Sequence, residues 1–126
     1  MRRVLAVSSI LAAALLLSVG CGGLPSPEMK APPKTFSGTW NTNWGTLELA
    51  QQRTGLVIGK FSGFRHGHVS GRVEGNRFVF TWSQREHGHR GKGYMLMTRD
   101  GDELDGRWGY GKNFDGGGRW WANRIE

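Results

Sequence analysis

From Phe36 onward, large apolar and polar residues alternate in short runs that are interrupted at regular intervals. Two cases are clearest. Phe78, Phe80 and Trp82 are set against Arg77, Val79 and Thr81, and Leu104, Gly106 and Trp108 are set against Glu103, Asp105 and Arg107. A period of two places successive side chains on opposite faces of a strand, one buried and one wet. Read in this way, the chain predicts eight strands: Phe36–Thr42, Trp44–Gln52, Leu56–Phe64, His68–Glu74, Arg77–Ser83, Lys92–Arg99, Glu103–Tyr110 and Gly118–Arg124. The breaks between them carry turn chemistry, because Thr54-Gly55, Gly75-Asn76 and Asp100-Gly101 supply the positive φ that tight hairpins require. In the sixth run two phases stay open, with Tyr94 and Leu96 inward or with Met95 and Met97 inward.

One face collects Gly38 and Trp40, Gly59 and Phe61, Gly71 and Val73, Gly106 and Trp108, and Gly118 and Trp120. A mid-strand glycine weakens a strand, so its recurrence calls for a cause. A neighbouring Trp or Phe lying across the gap supplies one, and so does a sheet that coils tightly. The expected fold is therefore all-β, an eight-stranded antiparallel up-and-down barrel narrow enough for its own side chains to fill it. Closure pairs the first strand with the last, and the expected seam sets Gly38 against Ala122 and Trp40 against Trp120. In such a meander Asn43, Arg65–Gly67, Gln84–Gly91 and Gly111–Gly117 share one end. The tight turns and both ends of the domain share the other.

The first 35 residues read differently. Met1-Arg2-Arg3 is a basic start, Val4 to Val19 is apolar apart from three serines, and Gly20-Cys21 follows. That is the layout of a secretory signal peptide over residues 1–20. The stretch LLSVGC, Leu16 to Cys21, resembles the lipobox of bacterial lipoproteins. The resemblance implies that Cys21, the single cysteine, becomes the lipid-modified first residue of a membrane-anchored envelope protein. Gly22 stands where an aspartate is associated with inner-membrane retention, which implies the outer membrane if the cell has one. Residues 21–35 then form a tether. Its four prolines and few apolar residues predict an extended spacer, about 40–45 Å at full reach. The barrel domain occupies residues 36–126.

GTWNTNWGT, Gly38 to Thr46, resembles the first hairpin of avidin-like proteins, and Gly38-x-Trp40 resembles the first strand of lipocalins. Both families belong to the calycin-type eight-stranded barrels, so the resemblance implies topology. Avidin-like hairpins direct polar residues at biotin, and only Asn43 and Thr46 offer counterparts, so that ligand is not implied.

Charge then narrows the chemistry. The chain has 17 Lys and Arg against 10 Asp and Glu, a net of +7, and removal of Arg2 and Arg3 leaves an excess of five. Such an excess favours anionic partners. It is concentrated at the end with the longer loops, where Arg65, Arg85, Arg90, Lys92 and Lys112 lie, while Asp100, Asp102, Glu103 and Asp105 make the other end acidic. Arg65, Arg85, Arg90 and Lys92, with protonatable histidines beside them, are candidate anion-binding residues for cell-wall polymers or lipopolysaccharide. An exported address argues against nucleic acid.

The same end holds His66-Gly67-His68 and His87-Gly88-His89. Paired His66, His68, His87 and His89 could converge on one divalent metal, although the surrounding cations oppose it. No catalytic motif is present: Ser83, His87 and Asp115 lack a nucleophile signature, and Gly109–Gly118 precedes no helix. The expectation is a non-enzymatic binding or structural role with no cofactor. A small carrier of hydrophobic ligands is the alternative.

Overall fold

All eight alternating runs become strands, and the computed structural model, which describes residues 24–125, closes them into one antiparallel barrel. In chain order they are β1 (Gly38–Thr42), β2 (Gly45–Gln51), β3 (Leu56–Ser62), β4 (Gly67–Glu74), β5 (Arg77–Gln84), β6 (His89–Met97), β7 (Glu103–Tyr110) and β8 (Gly118–Arg124). Each strand pairs with its successor, β8 returns to β1, and no helix interrupts the meander among the described residues. The signal segment of residues 1–20 and the candidate lipid-bearing Cys21 lie outside the described residues.

Side chains at alternate positions fill the interior. A continuous series of rings runs along the barrel. Phe36 meets Phe78 (ring centroids 5.8 Å apart), Phe78 meets Phe80 (5.0 Å), Phe80 meets Trp120 (5.3 Å) and Trp120 stacks on Trp44 (4.2 Å). Leu47, Leu49, Met95, Met97 and Leu104 pack around them. The two open phases of β6 thus resolve to Met95 and Met97 inside, with Tyr94 and Leu96 half-buried on the outer wall. Glycines make this packing possible in two ways. A Cβ on Gly93 would sit 2.6 Å from the Phe80 ring, so the aromatic does lie across the gap. A Cβ on Gly106 would sit 1.8 Å from the Tyr94 carbonyl oxygen, where the strands themselves approach too closely for any side chain.

The seam forms between the expected strands but in a different register. Trp40 faces Arg124, Asn41 faces Asn123 and Thr42 faces Ala122, rather than Gly38 facing Ala122 and Trp40 facing Trp120. Closing a barrel requires the strands to tilt and the ladder to accumulate stagger, which a flush pairing of the two ends ignores. The offset is even, so Trp40 and Trp120 both keep their inward direction and both are fully buried. Arg124 gains from it. Its guanidinium lies 4.2 Å from the Trp40 ring centroid while its nitrogens donate to the carbonyls of Ser37 (3.0 Å), Thr35 (2.9 Å) and Gly101 (2.9 Å).

The described part of the tether is not a free spacer. It lies as a strap across the end of the barrel that carries the tight turns. Asn76, at 0 % exposure in the β4–β5 turn, accepts hydrogen bonds on Oδ1 from the amides of Glu28 (2.8 Å) and Met29 (3.1 Å). Its Nδ2 donates to the Met97 carbonyl (2.9 Å). Arg77 Nη1 donates to the Pro25 carbonyl (2.6 Å), Lys34 pairs with Asp102 (2.8 Å), and Phe36 enters the core where the strap ends. Proline-rich sequence cannot build a core of its own, but extended backbone exposes the amides and carbonyls that a neighbouring surface can bond.

Candidate binding surface

The end opposite the strap is closed by a single residue. Gly45 has φ +110° and no room for a side chain, since a Cβ would meet the Ser62 carbonyl oxygen at 2.3 Å. Thr42 Oγ1 accepts from the Trp44 amide (2.9 Å) and donates to the Gly45 carbonyl (2.8 Å). This turn sends the Trp44 indole down into the mouth of the barrel. There it is 6 % exposed, stacked on Trp120 and met edge-on by Phe61, Trp82 and Trp108. Of the two polar residues that the hairpin resemblance offers as counterparts, Asn43 is committed to the seam. It donates to the Arg119 carbonyl (2.8 Å) and accepts from the Trp121 amide (3.0 Å). Thr46 lies in β2, paired with Asn41 and Ser62. Two buried polar atoms at this end, Trp120 Nε1 and Gln84 Oε1, have no hydrogen-bond partner among the described residues.

The polar chemistry lies on the outer wall beside the mouth. β6 begins at His89, three residues before the expected start, because Gln84 pairs with His89 across a four-residue turn whose Gly88 has φ +64°. Arg90 and Lys92 are therefore strand residues with fixed neighbours. His68, Ser83 and Arg90 occupy one row across β4, β5 and β6, and Ser70, Thr81 and Lys92 occupy the next row on the same face. These six line a concavity of about 380 Å³ that contains no carboxylate. A second, of about 360 Å³, is lined by His66, His68, Arg85 and Glu86, and a third, of about 250 Å³, by Arg65, His66, Glu86 and His87 with Phe64 and Gln84.

Further along the β6 wall, burial pushes the Tyr94 phenol above its ordinary pKa against the opposing pull of Arg107. It thus stays a neutral donor well past neutrality. A wider concavity, about 520 Å³ over β2, β3 and β4, shares His68 and Ser70 with the first and is mostly apolar, with Ala50 and Ile58 beside the Glu48–Lys60 pair.

Among the described residues Arg65, Arg85, Arg90 and Lys92 form no ion pair, whereas Lys34, Arg77, Arg119 and Arg124 all do. The structure brings Arg90 and Lys92 together and puts Arg85 in the adjoining concavity. Arg65 stands apart at the loop tip, its guanidinium 5.9 Å from the Trp44 ring centroid and 5.4 Å from that of Phe64. The four histidines do not gather at one point, although His66 and His87 both line the third concavity. His87 and His89 have ring centroids 5.6 Å apart, while His66 and His68 line one concavity. Among the described residues no three His, Cys, Asp or Glu side chains are grouped so as to hold a metal ion.

The sequence does not single out Ser70 or Thr81, and it offers Ser83 only as a nucleophile without a signature, not as a binding hydroxyl. Their outward phase is readable from the alternation of β4 and β5, but their alignment with Arg90 and Lys92 depends on register, which pairing alone determines. In comparison with known proteins, no family model matches the chain, and no curated protein or solved structure matches it.

Proposed function

We propose that this protein is a lipid-anchored β-barrel of the cell envelope that binds anionic envelope components without catalysing a reaction. The observation that carries the reading is the row-on-row meeting of Arg90, Lys92 and His68 with three hydroxyls, free of carboxylates and of ion pairs. Arg forks onto carboxylate and phosphate with two parallel hydrogen bonds, and cations without an ion pair need release no carboxylate to do so. The filled interior supports recognition on the outside, since Trp44 and Trp120 occupy the volume that a carrier of hydrophobic ligands would keep open. Lipid attachment at Cys21 rests on the resemblance of LLSVGC to a lipobox, and it would keep the protein where phosphorylated and uronate-bearing polymers are abundant.

The test uses the full chain purified in neutral detergent and titrated calorimetrically with lipopolysaccharide and with its dephosphorylated form. Charge-assisted hydrogen bonds contribute about 1.5–3 kcal/mol each, so Arg90→Gln with Lys92→Gln lowers affinity tenfold or more. Equal binding by parent and double variant, or indifference to phosphate removal, overturns the reading. Incorporation of labelled palmitate, lost in Cys21→Ser, checks the anchor.

A further inference from the structure

We infer that the basic face is a track for one extended acidic glycan, not a pocket for a single anion; this rests on the anion-binding reading above. Three concavities join end to end. The one lined by Arg90 and Lys92 shares His68 with the next, which shares His66 and Glu86 with the one at the loop tips. Along β4 and the loop before it, Ser70 and His66 are four residues apart, about 13 Å at strand rise. That is several times the hydrogen-bonding reach of one carboxylate.

The cations are distributed along this length. Lys92 and Arg90 stand at the wall end, Arg85 in the middle and Arg65 at the tip, with His68, His66 and His87 between them. Glu86 is the one carboxylate among the residues lining the three concavities. One anion satisfies one part of such a series; a chain with charge repeated along it satisfies all of it.

The hydroxyls choose among polyanions. Ser70 and Ser83 each donate and accept, and Thr81, whose hydroxyl donates to the Ser70 carbonyl (3.4 Å), accepts; this mixture matches sugar hydroxyls, whereas the oxygens of a polyphosphate chain only accept. Single-stranded nucleic acid binds where bases find aromatic platforms among the cations. Here Trp82 is buried beneath the wall, Tyr110 packs on His89 and the Phe114 ring centroid lies 5.4 Å from Lys92 Nζ, yet neither of these two lines any of the three concavities, where the one exposed Phe, Tyr or Trp ring is Phe64 at the far tip. An acidic glycan with charge on successive or alternate sugars is the polymer these side chains fit.

The test is a length series on the full chain in neutral detergent, using galacturonate, trigalacturonate and hexagalacturonate, with a hexadeoxynucleotide as the competing polyanion. Linked contacts raise affinity steeply, so hexagalacturonate should bind about a hundredfold or more tighter than the monosaccharide. Arg90→Gln with Lys92→Gln at one end, and Arg85→Gln nearer the other, should each weaken the hexamer at least fivefold while leaving the thermal midpoint unchanged. Affinity independent of length sinks the track and leaves anion binding standing. So does binding of lipopolysaccharide without any of the hexamer, or a hexadeoxynucleotide that binds as tightly as the hexamer. Failure of lipopolysaccharide and all the acidic sugars alike sinks both readings.

Discussion

The two ends of this barrel are closed by opposite means. At the base, a separate stretch of chain lies across the opening, and the groups that hold it are matched: Asn76 to Glu28, Met29 and Met97, Arg124 to Thr35 and Ser37, Lys34 to Asp102. At the mouth, one indole closes the opening, and the neighbouring cations Arg65, Arg85, Arg90 and Lys92 have no ion-pair partner among the described residues. Matched charges add order and have no capacity left for a ligand. Unmatched ones add little to stability and keep that capacity. Lys30, Arg53 and Arg99 at the base also form no ion pair among the described residues, so what separates the ends is the bonded strap at one and the cations gathered along adjoining concavities at the other.

The sharpest way to break that division is at Trp44. If the indole alone seals the mouth, Trp44→Ala should cost about 3–5 kcal/mol, the range for removing a large aromatic from a core. Urea unfolding measures this, and near-ultraviolet circular dichroism should lose the signal of the stacked Trp44–Trp120 pair, whose rings are 22° from parallel. A loss below about 1 kcal/mol would mean that the core is closed beneath the indole and that the two ends are less different than they look.

The base is probed at Asn76. Asn76→Ala removes an acceptor for two strap amides and a donor to a buried carbonyl, and leaving such groups unpaired costs about 1–3 kcal/mol. Because the strap is a separate segment, the loss should be local as well as global. Amide exchange at Glu28 and Met29 should become fast, and trypsin should cut at Lys30 and Lys34 before the barrel unfolds. Unchanged protection at those amides would show that Arg77 and Arg124 hold the strap by themselves.

What the sequence made legible follows from which effects are local. The alternation of Phe78, Phe80 and Trp82 is written into β5, and it specifies both strand and buried face without any partner. The start of β6 is not local. HGHRGKG, His87 to Gly93, has the composition of a loop and becomes strand from His89 because Ser83 and Gln84 offer a ladder to it. That is why Arg90 and Lys92 could be named as binding candidates while Ser70, Thr81 and Ser83 could not be placed beside them. The seam shows the same limit: Gly38, Trp40, Trp120 and Ala122 have readable faces, but the stagger of a closed barrel is a property of all eight strands. The strap was unreadable for a further reason. Nothing in GGLPSPEMKAPPKT marks it as bonded, since the specificity resides in a buried asparagine about fifty residues away.

Asp100, in the base turn between β6 and β7, offers the smallest effect and a test of sign. Its carboxylate accepts from the Asp102 amide (3.0 Å) and from the Thr98 hydroxyl (2.8 Å), and these bonds, in that order, hold its pKa below the ordinary carboxylate value; Lys34 adds to the pull. A group whose pKa is lower folded than unfolded stabilises the fold at pH values above its unfolded pKa. That contribution disappears as pH falls through the folded value. Asp100→Asn retains an acceptor oxygen but not the charge. The variant should therefore be slightly less stable than the parent at neutral pH, and the gap should close as the solution is acidified below about pH 4. Thermal midpoints of both proteins from pH 7 to pH 2.5 measure it. A gap that stays constant over that range would mean that the turn is held by geometry alone, and that charge matching at the base contributes less than its hydrogen bonds suggest.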